Sequence, residues 1–170
     1  MRNRNAFNTK RLCVLAILVS LAMILSYLET LIPAFVAIPG IKLGLANVAS
    51  IFALYTLGAP SAVAVSLVRV CLSSLLFGNA TSLIYSLSGA IFSLLVMIFL
   101  KRLSKNSVVG VSAVGGVMHN AGQILAAAVI LDTAELFGYL PVLIVSGVAF
   151  GIVIGIVAGL VISRVRKYVK

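Results

Sequence analysis

The stretch "TLGAPSAVAVSLVRVCLSSLLFGNATS" (residues 56–82) is a long apolar run with helix-breaking residues near each end. Gly58 and Pro60 end one segment and open the next, because proline is tolerated in the first turn of a helix. Gly78 and Asn79 supply the second break, a pair of residues typical of tight turns. The residues between Pro60 and Gly78 reach the lower end of the length, about 17–25 residues, that a bilayer-spanning helix needs. The stretch therefore predicts one transmembrane helix with a turn at each end.

The rest of the chain repeats this pattern. Its 170 residues are 62% hydrophobic and 9% charged, whereas a soluble domain is roughly a quarter charged. The apolar residues form long uncharged runs separated by glycine, proline and charge. We predict an all-α integral membrane protein with one domain, 1–170, and six transmembrane helices in a bundle. The predicted spans are about 12–31, 42–57, 61–77, 82–100, 108–131 and 140–163, and the second of them is short.

The basic residues predict the orientation of these spans. Eleven of the 13 Lys and Arg lie in 2–11, 101–105 and 164–170. An even number of spans places all three groups on one side, and the positive-inside rule makes that side the cytoplasm. Both termini are therefore predicted to be cytoplasmic, the first helix is predicted to stay uncleaved, and the three acids fall at the outer ends. The net charge of +10 thus indicates contact with the lipid bilayer and not with nucleic acid.

Small residues predict where helices approach one another. Gly147, Gly151, Gly155 and Gly159 recur at four-residue spacing in the sixth span. Such a ridge lets another backbone come close, and the partner is either a helix of this chain or a second subunit. The first span carries milder versions of the pattern, listed here as candidate interface residues: Ala16, Ser20, Ala22 and Ser26.

Arg69 is the one charged residue between Leu43 and Leu100. An arginine at the centre of a spanning helix costs roughly 2.5–3.5 kcal/mol on insertion scales. Ser66 and Ser73 share its helix face, so the side chain is expected to point into the bundle. The acids at 29, 132 and 135 are expected at the outer rim. The partner of Arg69 would then be a carbonyl group, a neutral side chain or an external anion.

The fifth span offers neutral partners in "GGVMHNAGQIL" (115–125), where three polar residues are predicted to share one helix face at the depth of Arg69. Either these groups hydrogen-bond across a packed bundle, or they line a cavity that opens outward and accepts an anionic or polar ligand. Tyr85 is an equal candidate for the cavity wall and for the interfacial aromatic belt. The candidate substrate-binding residues are Arg69, His119, Asn120, Gln123, Lys42, Asn47, Asn79, Tyr85 and Ser73.

Catalysis is not predicted. The chain has no GxxxxGK[ST] motif for a nucleoside triphosphate, and its single Asp cannot form the acidic cluster that holds Mg²⁺ on a diphosphate. No set of nucleophile, base and acid shares one depth, and the two cysteines give no metal or redox pattern. We therefore expect neither an enzyme nor a cofactor, and any energy for uphill transport would come from a partner.

Three stretches carry a family resemblance: "IPGIKLGLANV" (38–48), "LGAPSAVAVSLVRVCLSSLLFG" (57–78) and "GGVMHNAGQIL" (115–125). With the six short spans they resemble the Gx transporter family, often labelled heptaprenyl diphosphate synthase component I. More widely, the chain resembles the substrate-binding S components of bacterial energy-coupling factor (ECF) transporters. The resemblance implies a multi-pass protein of the bacterial plasma membrane with an outward pocket capped by the loop 32–41.

The resemblance also implies partners and cargo. S components act with a transmembrane coupling subunit and two cytoplasmic ATPases, and dock through an Ala-xxx-Ala pattern on the first helix, where this chain has Ala or Ser. Flavins and precursors of quinones or isoprenoids are among the implied substrates. The first hypothesis is therefore a binding subunit that captures a small anionic or polar, vitamin-like nutrient. The alternatives are a non-catalytic membrane accessory of a prenyl diphosphate synthase and a self-sufficient channel.

Overall fold

The computed structural model describes residues 9–31, 44–103 and 107–169, and every regular element in these ranges is helical. The predicted loop 32–41 and Lys42 lie outside the described residues. The helices are α1 Thr9–Leu31, α2 Asn47–Thr56, α3 Ala59–Phe77, α4 Ala80–Leu103, α5 Val108–Leu131 and α6 Leu140–Val169, with a 3₁₀ segment, Ala134–Tyr139, before α6.

The all-helical membrane architecture is confirmed. Within the described ranges five helices are long and apolar enough to cross a bilayer: α1, α3, α4, α5 and α6. Their outward faces carry many exposed Leu, Ile, Val and Phe side chains, as a lipid-facing surface requires. The buried side chains on the inner faces include many serines together with apolar residues.

The two breaks around α3 lie where the sequence predicts them. Gly58 has φ +94° between α2 and α3, and Pro60 stands in the first turn of α3. Asn79 caps α4, because its Oδ1 accepts the backbone N–H of Ser82 at 2.8 Å while its own N–H donates to Ser82 Oγ at 3.0 Å. This reciprocal arrangement satisfies N–H groups that the start of a helix otherwise leaves without partners.

The prediction for the second span was too long. Among residues 44–57 only Asn47–Thr56 is helical, about 15 Å at 1.5 Å per residue. Gly44 has φ +86°, a left-handed conformation that glycine adopts without steric cost. A turn over residues 44–46 therefore precedes the helix. The helix is too short to cross a bilayer by itself.

Contacts with α1 nevertheless show that α2 runs antiparallel to it. Glu29, near the end of α1, accepts the backbone N–H groups of Gly44 and Leu45 before α2. Arg11, near the start of α1, donates to Leu57 O at 3.4 Å and to Ser61 Oγ at 2.6 Å, after α2. The segment thus accompanies α1 from one end to the other, as the predicted alternation of directions requires.

The glycine ridge of α6 packs on α5, so its partner lies in this chain. A methyl group at Gly151 would lie 2.7 Å from Cα of Ala113, and one at Gly155 would lie 2.6 Å from Cα of Val109. Gly147 contacts Gly116 and Val117 in the same way, whereas a methyl group at Gly159 would meet nothing within 4 Å. The two backbones are therefore in direct contact over most of the ridge.

The opposite side of α5 packs on α4, again through glycine. Ser88 Oγ donates to Gly122 O at 2.8 Å, and Gly115 lies against Met97. Since 88 pairs with 122 and 97 with 115, the two helices are antiparallel. The central helix α5 is thus packed between α4 and α6, which cover its polar residues from two sides.

Lys101 completes α2 at its C-terminal end. Its Nζ donates to Leu54 O and lies 5.0 Å from the centroid of the Tyr55 ring. The last carbonyl groups of a helix lack intrahelical partners and carry partial negative charge, so a cation there is stabilising. Charged side chains of α1 and α4 therefore bind the two ends of this short helix.

We expect Lys101→Met to lower the free energy of unfolding by about 1–2 kcal/mol, because it removes a charged donor from a partly buried helix end. The measurement is an unfolding titration with sodium dodecyl sulfate in detergent micelles. Arg102→Met is the matched control, since the Arg102 side chain is exposed. Equal losses in both variants would contradict the capping role of Lys101.

Candidate functional site

Arg69 points into the bundle, as predicted. Its side chain is 2% exposed, and Ser66 and Ser73 on the same face of α3 are also buried. Nη2 donates to Oδ1 of Asn47, the first residue of α2, at 3.2 Å. Nε has no hydrogen-bond partner among the described residues. The guanidinium therefore keeps one buried donor without a partner among the described residues.

The expectation that no acid lies near Arg69 was wrong. Glu29 is 5% exposed, and its charge acts on Arg69 across the bundle. One carboxylate oxygen accepts the N–H groups of Gly44 and Leu45, the latter at 3.3 Å. The sequence placed Glu29 at the outer rim because it stands near the end of a span. The structure places its side chain inside, on the same face of α1 as the buried Ala22 and Ser26.

His119 and Gln123 lie beside this cluster on α5. A methyl group at Gly44 would lie 3.5 Å from Cδ2 of His119. One at Gly89 on α4 would lie 2.9 Å from both Cε1 of His119 and Cγ of Gln123. The two glycines thus make room for the imidazole ring and the amide side chain. Both polar side chains are buried, and neither amide atom of Gln123, which is 0% exposed, has a partner among the described residues.

Asn120 does not join His119 and Gln123 in this packing. Its Nδ2 donates to Leu143 O at 2.8 Å and to Ser146 Oγ at 3.4 Å, both on α6. The predicted common face of the three residues is therefore divided. Two residues pack toward α4 and the start of α2, and Asn120 ties α5 to α6.

Of three other predicted site residues, Tyr85 and Ser73 are buried inside the bundle and Asn79 is exposed at a helix end. Tyr85 is 2% exposed, so it belongs to the interior and not to an interfacial belt. Ser73 is buried on the face of Arg69, with its hydroxyl donating to Val70 O at 3.3 Å. Asn79 is exposed and its side-chain oxygen serves the cap of α4. The structure gives Asn79 a structural role at a helix end.

On the α5 N-terminal side of the cluster, the bundle is closely packed. A void of about 10 Å³ is lined in part by Asn47, Ser93 and Ser112. The hydroxyl groups of the two serines have no partner among the described residues. This volume suits a single water molecule, which needs about 10–15 Å³ and two to four polar partners. This void is too small to hold a larger ligand.

The two small-residue pairs of α1 face in different directions. Ala22 and Ser26 are fully buried and belong to the packing of α1 on the rest of this chain. Ala16 and Ser20 are exposed, and the hydroxyl of Ser20 donates to Ala16 O at 3.0 Å within the helix. Only Ala16 and Ser20 can therefore meet another subunit.

Sequence reasoning missed Glu29, Gly44 and Gly89 as parts of the site. For Glu29 a signal was present, because positions 22, 26 and 29 lie on one helical face with two small residues. For the glycines no signal was available, since each is needed only because another helix places His119 or Gln123 against it.

Comparison with curated proteins and with solved structures gave no significant match. The sequence model of one protein family, described as heptaprenyl diphosphate synthase component I, matches residues 18–161. The match includes α2 to α5 complete and contains Glu29, Arg69, His119 and Gln123. It covers well over half of the chain, which therefore belongs to the heptaprenyl diphosphate synthase component I family.

Proposed function

We propose that this protein is the membrane-embedded substrate-binding subunit of an ECF-type importer, and that it captures a small polar or anionic nutrient. One observation carries the proposal: buried polar groups from several helices lie close together near Arg69, and some of their hydrogen-bonding atoms have no partner among the described residues. Nε of Arg69 and both amide atoms of Gln123 have no partner among the described residues.

The energetic argument is the cost of leaving such groups unpaired. A buried donor or acceptor without a partner costs about 1–3 kcal/mol, and more when it is charged. Buried polar side chains are therefore almost always hydrogen-bonded in folded proteins. A bundle built only for packing would place apolar side chains at these positions. A ligand that supplies the missing partners recovers this free energy on binding, which favours a binding site over a purely structural polar core.

The proposed subunit binds its cargo without catalysis and draws energy from partners. The exposed small residues Ala16 and Ser20 are the part of α1 on which the transmembrane coupling subunit would dock. Two cytoplasmic ATPases would complete the importer. The site would open toward the end of the bundle that carries Glu29, which the charge pattern predicts to be the outer face in a bacterial plasma membrane.

We expect Arg69→Lys to lose the bound nutrient while keeping the fold. Lysine retains the positive charge near Glu29 but has no group in the position of Nε, so it removes one charge-assisted hydrogen bond. This loss corresponds to about 10- to 100-fold in affinity. The measurement is native mass spectrometry of the detergent-purified protein, with extraction and identification of whatever co-purifies.

Arg102→Lys is the matched control, because it makes the same replacement at an exposed position. The proposal predicts a stoichiometric small molecule in the wild type and in the control, and its loss from Arg69→Lys. A protein that carries only phospholipid, or the same small molecule in all three forms, would contradict the assignment of the site.

The family description favours a second candidate, an accessory subunit that docks a soluble prenyl diphosphate synthase at the membrane. Exposed Lys10, Arg102 and Arg164 lie at the end of the bundle opposite Glu29 and would contact such a partner. Co-sedimentation of a purified prenyl diphosphate synthase with the protein in nanodiscs tests this idea. The accessory role would be favoured if binding disappears when these three residues are changed to Gln and is unchanged in the Arg69→Lys variant.

A further inference from the structure

The groups around Glu29 form a complete anion-binding set. Two backbone N–H groups, from Gly44 and Leu45, converge on one carboxylate oxygen at the turn before α2. Converging N–H groups and the positive end of a helix are the usual elements of an anion site. The positive charge of Arg69 acts on the same carboxylate. In the described structure, the chain fills this site with its own side chain.

Glu29 does not exhaust what the site can donate. Nη2 of Arg69 is used on the neutral oxygen of Asn47, and Nε has no partner. A carboxylate or phosphate in the site could take Nε as well, with the short, charge-assisted geometry that guanidinium groups favour. An external anion could therefore form a hydrogen bond with Nε of Arg69 that Glu29 does not form.

Glu29 is also the part of the site that can leave most easily. It is carried by α1, which packs chiefly on α2 and α3 and has the smallest buried share among the five long helices. It stands two residues before the end of that helix, close to the end of the bundle. The packing of α2 and α3 on the other helices is more extensive. These helices carry Asn47 and Arg69, and the Gly44 turn directly precedes α2. Moving Glu29 outward leaves the rest of the site in place.

We propose that Glu29 is an internal stand-in for the ligand: a carboxylate or phosphate group of the transported molecule displaces it from the Gly44 and Leu45 amides, near the positive charge of Arg69. This inference rests on the proposed function only in assigning the displacing anion to a transported molecule. It specifies the ligand class, a molecule with a carboxylate or phosphate end, and it makes entry of the ligand a competition with a side chain of α1.

The test uses acetate and inorganic phosphate as probes, with the full chain in detergent micelles. Glu29→Ala empties the carboxylate position, so acetate or phosphate should raise its thermal unfolding temperature by several degrees relative to sodium chloride at equal ionic strength. The wild type should show the same rise only at anion concentrations about tenfold higher or more, because its own carboxylate occupies the site most of the time. Glu135→Ala, which removes an exposed acid, should show no anion-specific rise.

Glu29→Ala combined with Arg69→Met should lose the response, since the guanidinium is part of the site. The proposal is overturned if Glu29→Ala responds no more than Glu135→Ala, if it stays unfolded in chloride and in both probe anions, or if the double variant keeps the response. A wild type that never responds would overturn the displacement.

The two proposals fail in distinguishable ways. An Arg69-dependent nutrient found by mass spectrometry, together with no acetate or phosphate effect, would mean that the ligand binds beside Glu29 and that only the displacement is wrong. A clear anion effect in a protein that carries no nutrient would leave the anion site standing and remove the capture function.

Discussion

Glu29→Gln and Arg69→Met are each expected to lower the free energy of unfolding by about 3 kcal/mol, because each removes a favourable charge–charge interaction from the interior of the bundle. Glu29 is 5% exposed and Arg69 is 2% exposed, so water screens the interaction between the two charges only weakly. Unfolding titrations with sodium dodecyl sulfate in micelles measure the loss.

The double variant is the informative one. In the double variant the interaction between the two charges is lost only once, and we expect a loss smaller than the sum of the single losses by about 2 kcal/mol, within the range measured for coupled neighbours. Glu135→Gln, an exposed acid, should change stability by no more than about 0.5 kcal/mol. Additive losses in the double variant would show that Glu29 and Arg69 contribute to stability independently, with no coupling free energy between their charges.

Gly151→Val is expected to lower the free energy of unfolding by about 3 kcal/mol, at the upper end of the usual cost of overpacking a core. A Cβ atom at Gly151 would lie 2.7 Å from Cα of Ala113 and 2.7 Å from Ser112 O. Both atoms belong to the backbone of α5, so no side-chain rearrangement can relieve the overlap. The two helices would have to separate.

Gly159→Val makes the same replacement two steps further along the ridge, where a Cβ atom would meet nothing within 4 Å. We expect it to alter the unfolding free energy by no more than about 0.5 kcal/mol. The same titration measures both variants. Similar losses at 151 and 159 would mean that the cost comes from valine in a glycine-rich helix and not from the α5 contact.

Much of the bundle could be predicted from local sequence. The residues around Gly58, Pro60, Gly78 and Asn79 delimit α3 because their backbone preferences act within one or two residues. Span length and hydropathy suffice for the long helices because a bilayer imposes one thickness on all of them. The inward direction of Arg69 followed from Ser66 and Ser73 on the same face.

Other features could not be predicted in this way. The length of α2 depends on Glu29 binding the turn at Gly44 and on Lys101 binding Leu54, contacts between residues far apart in the chain. Asn120 and His119 are neighbours in sequence but pack on different helices, since α5 is covered on both sides. The predicted common face assumed a single partner for α5.

A helical membrane protein with an arginine inside its bundle follows from the amino-acid sequence alone, because bilayer thickness and the cost of a buried charge act on each span separately. The surroundings of that arginine depend on how the helices pack. Hydropathy places Glu29 at a helix end and cannot report which way its side chain turns. The packing of α1 on α2 turns it inward, where two backbone N–H groups and the charge of Arg69 stabilise a carboxylate that would otherwise remain in water.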